Sequence, residues 1–179
     1  VTYKDIINDS NNDFAVVRYE SNGTLDTGFG TGGIVTTAIG SEDDIAYVLA
    51  IQSDGKILVA GTSNNGSNND FAIVKYTTTG SLDTTFGPNL NGKVTTPVGD
   101  NFAAASALVV QSDKKIMVAG ISYDAFNSDF ALVRYKEDGS LDTGFYAGGI
   151  VTTSIGSGLD VVGAVRLQSG KIVVAGYTY

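Results

Sequence analysis

Apolar and polar residues alternate along much of the chain, and the apolar positions hold mainly β-branched and aromatic side chains. This is the signature of strands that turn one face into a core. Between Ala46 and Thr96 the pattern predicts strands near Ala46–Gln52, Lys56–Thr62, Phe71–Tyr76 and Lys93–Thr96. Asp54-Gly55 between the first two supplies the positive φ angles of a tight two-residue hairpin. An Asn- and Gly-rich loop, Ser63 to Asn69, leads into the third strand, and Gly80 to Gly87 makes a wider turn into the fourth. No segment carries a 3.6-residue apolar stripe of helical length, so the expected class is all-β.

The pattern recurs. "NDFAVVRY" at Asn12–Tyr19 returns as "NDFAIVKY" at Asn69–Tyr76 and "SDFALVRY" at Ser128–Tyr135. "GTLDTGFG" from Gly23 returns from Gly80 and Gly139, and "IVTT" from Ile34 returns from Lys93 and Ile150. "QSDGKILVAG" from Gln52 returns from Gln111, and again from Gln168 with one turn residue deleted. Four motifs in one order, 57 to 59 residues apart, define a tandem repeat.

Four antiparallel strands per unit of nearly 60 residues is the pattern of a β-propeller blade. The segments "KILVAG", "KIMVAG" and "KIVVAG" are almost continuously apolar, as expected of a strand covered on both faces. Their closing Ala-Gly fits a crowded place where blades converge, and Phe14, Phe71 and Phe130 are placed to fill the gaps between sheets. A β-helix would show shorter coils, and a β-sandwich no internal repeat. The expectation is a single repeat domain over 1–179, with units at about 1–44, 45–103 and 104–160 and a partial unit at 161–179. Aligning Asp13 with Asp70 makes the chain enter with the third and fourth strands of a blade. Val161–Gln168 and Lys171–Thr178 supply a first and second. The fold is thus three four-stranded blade equivalents, starting and ending mid-blade with complementary ends.

The succession DFAxVRY, GSLDTxFG, VTT and QSDGKILVAG resembles the delta-60 repeat, a β-propeller repeat of bacterial cell-surface and secreted proteins. The resemblance covers essentially the whole chain. Lys114 stands where the pattern has glycine, and Ser169-Gly170 is a shortened turn. The resemblance implies a propeller fold and carries no shared catalytic residues.

Composition narrows the chemistry. With no Cys and no His there is no Ser-His-Asp triad, thiol nucleophile, His or Cys zinc site or disulfide framework. Eleven Lys and Arg against 19 Asp and Glu give a net charge of −8, which repels nucleic acid and anionic membrane surfaces. No apolar run approaches the roughly 20 residues of a membrane span, and no membrane insertion is expected. The chain opens at Val1 without an initiator Met or signal-peptide pattern, which reads as a processed or excised product. A Cys-free acidic surface rich in Asn, Thr, Ser and Gly suits an extracellular or cell-surface location, although a cytosolic protein could share it.

Asp26, Asp83 and Asp142 occupy the LDT motif of each unit. They read as structural carboxylates that accept backbone N–H groups in the turn between the third and fourth strands, because recurrence at equivalent positions favours structure over catalysis. Asp13, Asp70 and Asp129, in loops rich in side-chain oxygens (Asp9–Asp13, Asn64–Asp70 and Asp124–Asp129), are the calcium candidates. None follows the spacing of a calcium loop, and turn formation explains the same residues. Arg18, Lys75 and Arg134 on the third strand, with Lys56, Lys115 and Lys171 opening the second, either line an anion channel or pair with the recurring Asp residues. Glu42, Asp43 and Asp44 form the one obvious acidic cluster outside the repeat, read as a solvated turn. Tyr3, Tyr123, Tyr177 and Tyr179 depart from the consensus and suit sugar or protein contacts. Asn8, Asn22 and Asn65 fit the N-x-S/T acceptor pattern.

The expected function is a non-enzymatic extracellular scaffold with no catalytic residue and no cofactor beyond the calcium candidates. It would act by protein or glycan binding, or by head-to-tail strand pairing into a homo-oligomer or filament. The alternative is a carbohydrate-active enzyme with paired carboxylates, which needs two acids and no His.

Overall fold

The computed structural model describes residues 11–124 and 127–179, and among them there are strands and no helix. The strands are β1 (Phe14–Val17), β2 (Ile34–Thr37), β3 (Asp44–Ile51), β4 (Ile57–Asn64), β5 (Asn69–Tyr76), β6 (Lys93–Thr96), β7 (Phe102–Val110), β8 (Ile116–Tyr123), β9 (Ser128–Tyr135), β10 (Ile150–Thr153), β11 (Asp160–Gln168) and β12 (Lys171–Thr178). All the long pairings are antiparallel between sequence neighbours, giving β1-β2, then β3-β4-β5-β6, then β7-β8-β9-β10, then β11-β12. The architecture is two complete four-stranded blades flanked by two half-blades. Consecutive blades meet through one parallel bridge, Asn69 to Phe102, repeated as Ser128 to Leu159.

The core lies in the gaps between sheets, because each blade is apolar on both faces. Phe14, Val16 and Phe29 of the first half-blade pack on Ile57, Val59, Ala72, Val74 and Tyr76 of the first full blade. Leu58, Ile73, Phe86, Val118, Val133 and Tyr135 fill the gap between the two full blades. Ala107, Met117 and Ala119 meet Val162 and Val165 across the third gap. Each fully buried aliphatic side chain contributes about 1.5–3 kcal/mol.

Two local expectations change in detail. The β3–β4 turn is a three-residue loop rather than a two-residue hairpin. Gln52 N–H bonds to Lys56 O, Gly55 N–H bonds back to Gln52 O, and Gly55 sits at φ +80°, as in a type I turn closed by a left-handed residue. Lys114 adopts the same left-handed position at φ +66° without the freedom of glycine, and the shortened turn Ser169-Gly170 is the true two-residue hairpin, with both φ angles positive.

The second correction concerns Gly61, Gly120 and Gly176. What crowds them is the inner strand of their own blade more than the convergence of blades. At each, a Cβ would run into a carbonyl oxygen, that of Ile45, Ala104 or Val161. Each lies opposite the register shift that interrupts β3, β7 and β11, and a bulge drives the backbone onto its neighbour.

Candidate interaction site at the open half-blades

The recurring carboxylates sit at ion-pair nodes. In the first full blade Asp83 is 4% exposed. Its Oδ1 accepts from the Thr85 N–H at 3.1 Å and the Thr85 hydroxyl at 2.7 Å. Its Oδ2 accepts from Lys56 Nζ at 2.9 Å and lies 3.7 Å from Lys75 Nζ. Burial raises its pKa, but the hydrogen bonds from Lys56 and Thr85 outweigh that and bring it down to about 2. Lys56 is raised in turn, chiefly by the bond to Asp83. Asp142 repeats the node with Arg134 at 2.8 Å and Lys115 at 3.2 Å. Asp26 accepts from the Gly28 N–H and, at 2.6 Å, from Arg18, which together hold its pKa down, but has no lysine among its described ion pairs. The strand cations also stack on an aromatic ring, Arg18 over Phe29, Lys75 over Phe86 and Arg134 over Phe145. Arg18, Lys56, Lys75, Lys115 and Arg134 thus all face carboxylates. Lys171 is exposed, and its ammonium has no partner among the described residues.

Asp13, Asp70 and Asp129 are not brought together, each sitting at the start of its own third strand. Asp13 is exposed, Asp129 half-buried, and Asp70 is buried and accepts from Asn65 Nδ2 at 3.0 Å. Among the described residues no three acidic, His or Cys side chains converge to hold a metal. Asp9 lies outside the described residues, as do Tyr3 and Asn8. Asn22 and Asn65 are exposed, and their side-chain oxygens already cap their own turns, accepting from Thr24 and from Ser67 and Asn68. Tyr123 is half-buried at the end of β8. Tyr177 and Tyr179 are exposed and meet edge to face, with ring centroids 5.6 Å apart.

The acidic cluster is not a solvated turn throughout. Glu42 is exposed, but Asp43 accepts from both the backbone and side chain of Asn12, and Asp44 is fully buried. Asp44 Oδ2 accepts from the Ile39 and Gly40 N–H groups and so ties the crossover from β2 to the inner strand β3. Asp160, also fully buried, does the same from β10 to β11 through the Ile155 N–H, and bonds from Thr178 and Ile155 lower its pKa. The alignment of Asp44 with Asp160 was the sequence signal for this role, obscured by Ala103 at the equivalent place in the second full blade.

The widest irregularity in the molecule is at its flanks. Strands β4 and β8 are buried along nearly their whole length, whereas β12, the third copy of the same motif, is exposed or half-exposed throughout. Val173 is 46% exposed where its counterpart Leu58 is 0% exposed. On the other flank Tyr19 is 62% exposed where Tyr76 and Tyr135 are 0% exposed. Among the described residues, β12 and β1 each pair on one side only. A separate groove of about 660 Å³ runs between the β3–β4 and β7–β8 hairpins. Two buried amide oxygens without partners among the described residues, of Gln52 and Gln111, belong to residues lining it.

Repeated blades, inter-sheet cores and turn carboxylates define a β-propeller repeat protein. The sequence matches the family model described as a domain of unknown function (DUF5122), β-propeller, over residues 4–29, 52–86 and 111–145. The chain belongs to this family. No curated protein matches it.

Proposed function

We propose that this chain is a non-enzymatic scaffold of an extracellular or cell-surface assembly, and that it works by pairing its open half-blades head-to-tail with further copies of itself. The supporting observation is the exposed β12, whose sequence is that of a doubly covered strand and which pairs only with β11 among the described residues. An open strand edge beside exposed apolar residues recruits another strand. The first half-blade offers strands of the complementary type, β1 and β2, and among the described residues β1 pairs only with β2. A non-catalytic role is supported by the recurring carboxylates, which are held in ion pairs and backbone hydrogen bonds. The groove at Gln52 and Gln111, lined also by Ile51 and Val110, is where a glycan or peptide ligand would sit. The mass of the particle in solution, measured by light scattering at micromolar concentration, should exceed the 18.5 kDa of one chain. A folded particle of single-chain mass under those conditions overturns self-assembly.

A further inference from the structure

We infer that a cavity between the two complete blades, at Lys75, is a binding site for a small oxyanion, either a phosphate or a carboxylate group. The site does not depend on self-assembly, because every residue that lines it belongs to those two blades.

The third strand carries a cation at the same place in three repeats, Arg18, Lys75 and Arg134, and two of the three are arginine. The arginines make hydrogen bonds there. Arg18 Nε donates to Asp26 at 2.6 Å and Arg134 Nε to Asp142 at 2.8 Å. Arg18 has a second nitrogen to spare, and its Nη1 donates to the Thr78 carbonyl of the next blade, so the guanidinium spans the gap between sheets. Lysine is shorter and does not span it. The Lys75 ammonium stands 3.7 Å from Asp83 Oδ2, too far for a hydrogen bond, and 5.4 Å from the centre of the Phe86 ring. Lys56 holds the same oxygen at 2.9 Å. Among the described residues Lys75 donates no hydrogen bond from its side chain, although it is only 4% exposed. An ammonium has three N–H donors, and burying it without acceptors is costly.

The reach that lysine lacks is left as space. The repeat puts Glu137 where Thr78 stands at the preceding junction, and there a cavity of about 440 Å³ opens, lined by Lys56, Lys75, Thr85, Lys136, Glu137 and Asp138. Half of these residues bring an ammonium group. The carboxylates nearby are already engaged. Asp83 accepts from Lys56 and Thr85, Glu137 Oε1 from Lys114 at 2.9 Å, and Asp138 Oδ1 from the Ser140 N–H and hydroxyl. Lys136 is exposed and has no ion pair among the described residues. Donors therefore outnumber the acceptors around the cavity. An oxyanion supplies what is missing, several acceptor oxygens on one centre together with a negative charge, and such charge-assisted bonds are about twice as strong as neutral ones. The net charge of −8 does not prevent this, since charges on other faces are screened beyond about 8–10 Å and the lining lysines are nearest.

Isothermal titration with sodium phosphate, and separately with sodium acetate as a carboxylate probe, tests the site at an ionic strength held constant with sodium chloride. At least one probe should bind saturably, with one anion per chain, and the tighter of the two identifies the anionic group preferred. Lys75→Arg installs the residue that two other repeats already hold. Its longer head should fill the cavity and satisfy its own donors on Asp83 and the Glu137 carbonyl, so binding should weaken about tenfold or more. Lys136→Thr installs the residue that the preceding repeat has at Thr77, and should weaken binding about threefold or more. Lys171→Thr, outside the cavity, should leave binding unchanged. Circular dichroism checks that each variant is folded, and should Lys75→Arg fail to fold, Lys136→Thr decides alone. The site is overturned if neither probe saturates, if chloride at equal ionic strength matches them, or if a folded Lys75→Arg variant binds as tightly as the parent.

Discussion

Replacing Asp83 with asparagine removes one negative charge from the most buried ion-pair node and leaves its shape almost unchanged. The amide oxygen of the Asp83→Asn variant would still accept from Thr85, but Lys75, 4% exposed, and Lys56 would lose their counter-charge. The carboxylate's fall from an ordinary 3.8 to about 2 measures how much better the folded protein binds the charged form than the acid. At about 1.36 kcal/mol per pH unit this difference is worth about 2 kcal/mol. Stranding a buried ammonium adds to it, towards the roughly 3–5 kcal/mol seen when one partner of a buried pair is removed. Because the pKa is depressed on folding, the contribution is fully present above pH 3.8 and disappears as pH falls through about 2. The variant should therefore be about 2–4 kcal/mol less stable than the parent at pH 7, with the gap narrowing between pH 4 and pH 2. Urea unfolding followed by circular dichroism, at one protein concentration throughout, reads both quantities. A gap below about 0.5 kcal/mol at pH 7, or one independent of pH, would show that desolvation of the three charges cancels their attraction.

Tyr135 is fully buried, and burial pushes its phenol well above the ordinary 10. Tyr135→Phe should cost about 1 kcal/mol, because the Thr96 hydroxyl loses its partner. A raised pKa also means stability that is present below pH 10 and lost at higher pH, so spectrophotometric titration should find the buried tyrosines resisting ionisation until the protein unfolds. Asp70 accepts from Asn65, and no three acidic side chains converge among the described residues, so chelation of divalent ions should leave the melting temperature nearly unchanged. A fall of many degrees would identify a bound ion that stabilises the fold.

Strand period, turn chemistry and the repeat were legible in the sequence because each depends on neighbours a few residues away. The alternation of Ala46–Gln52 and Phe71–Tyr76 announces strands whatever covers them, and three copies of LDT announce one turn made three times. The same copies indicated half-blades at the flanks, since a blade's strands follow one another in order. Burial could not be read in this way. The third copy of the KIVVAG motif is exposed and the first two are covered, and no residue within the motif records the difference. Asp44 looked like part of a solvated acidic run, because the backbone N–H groups that receive it belong to a crossover whose position depends on how two blades stack. The crowding at Gly61 likewise comes from a bulge in the facing strand. Local pattern determines which strands and turns form. Which faces are covered, which carboxylates lie inside and which edges stay open depend on packing between sheets distant in sequence, and only the tertiary structure decides them.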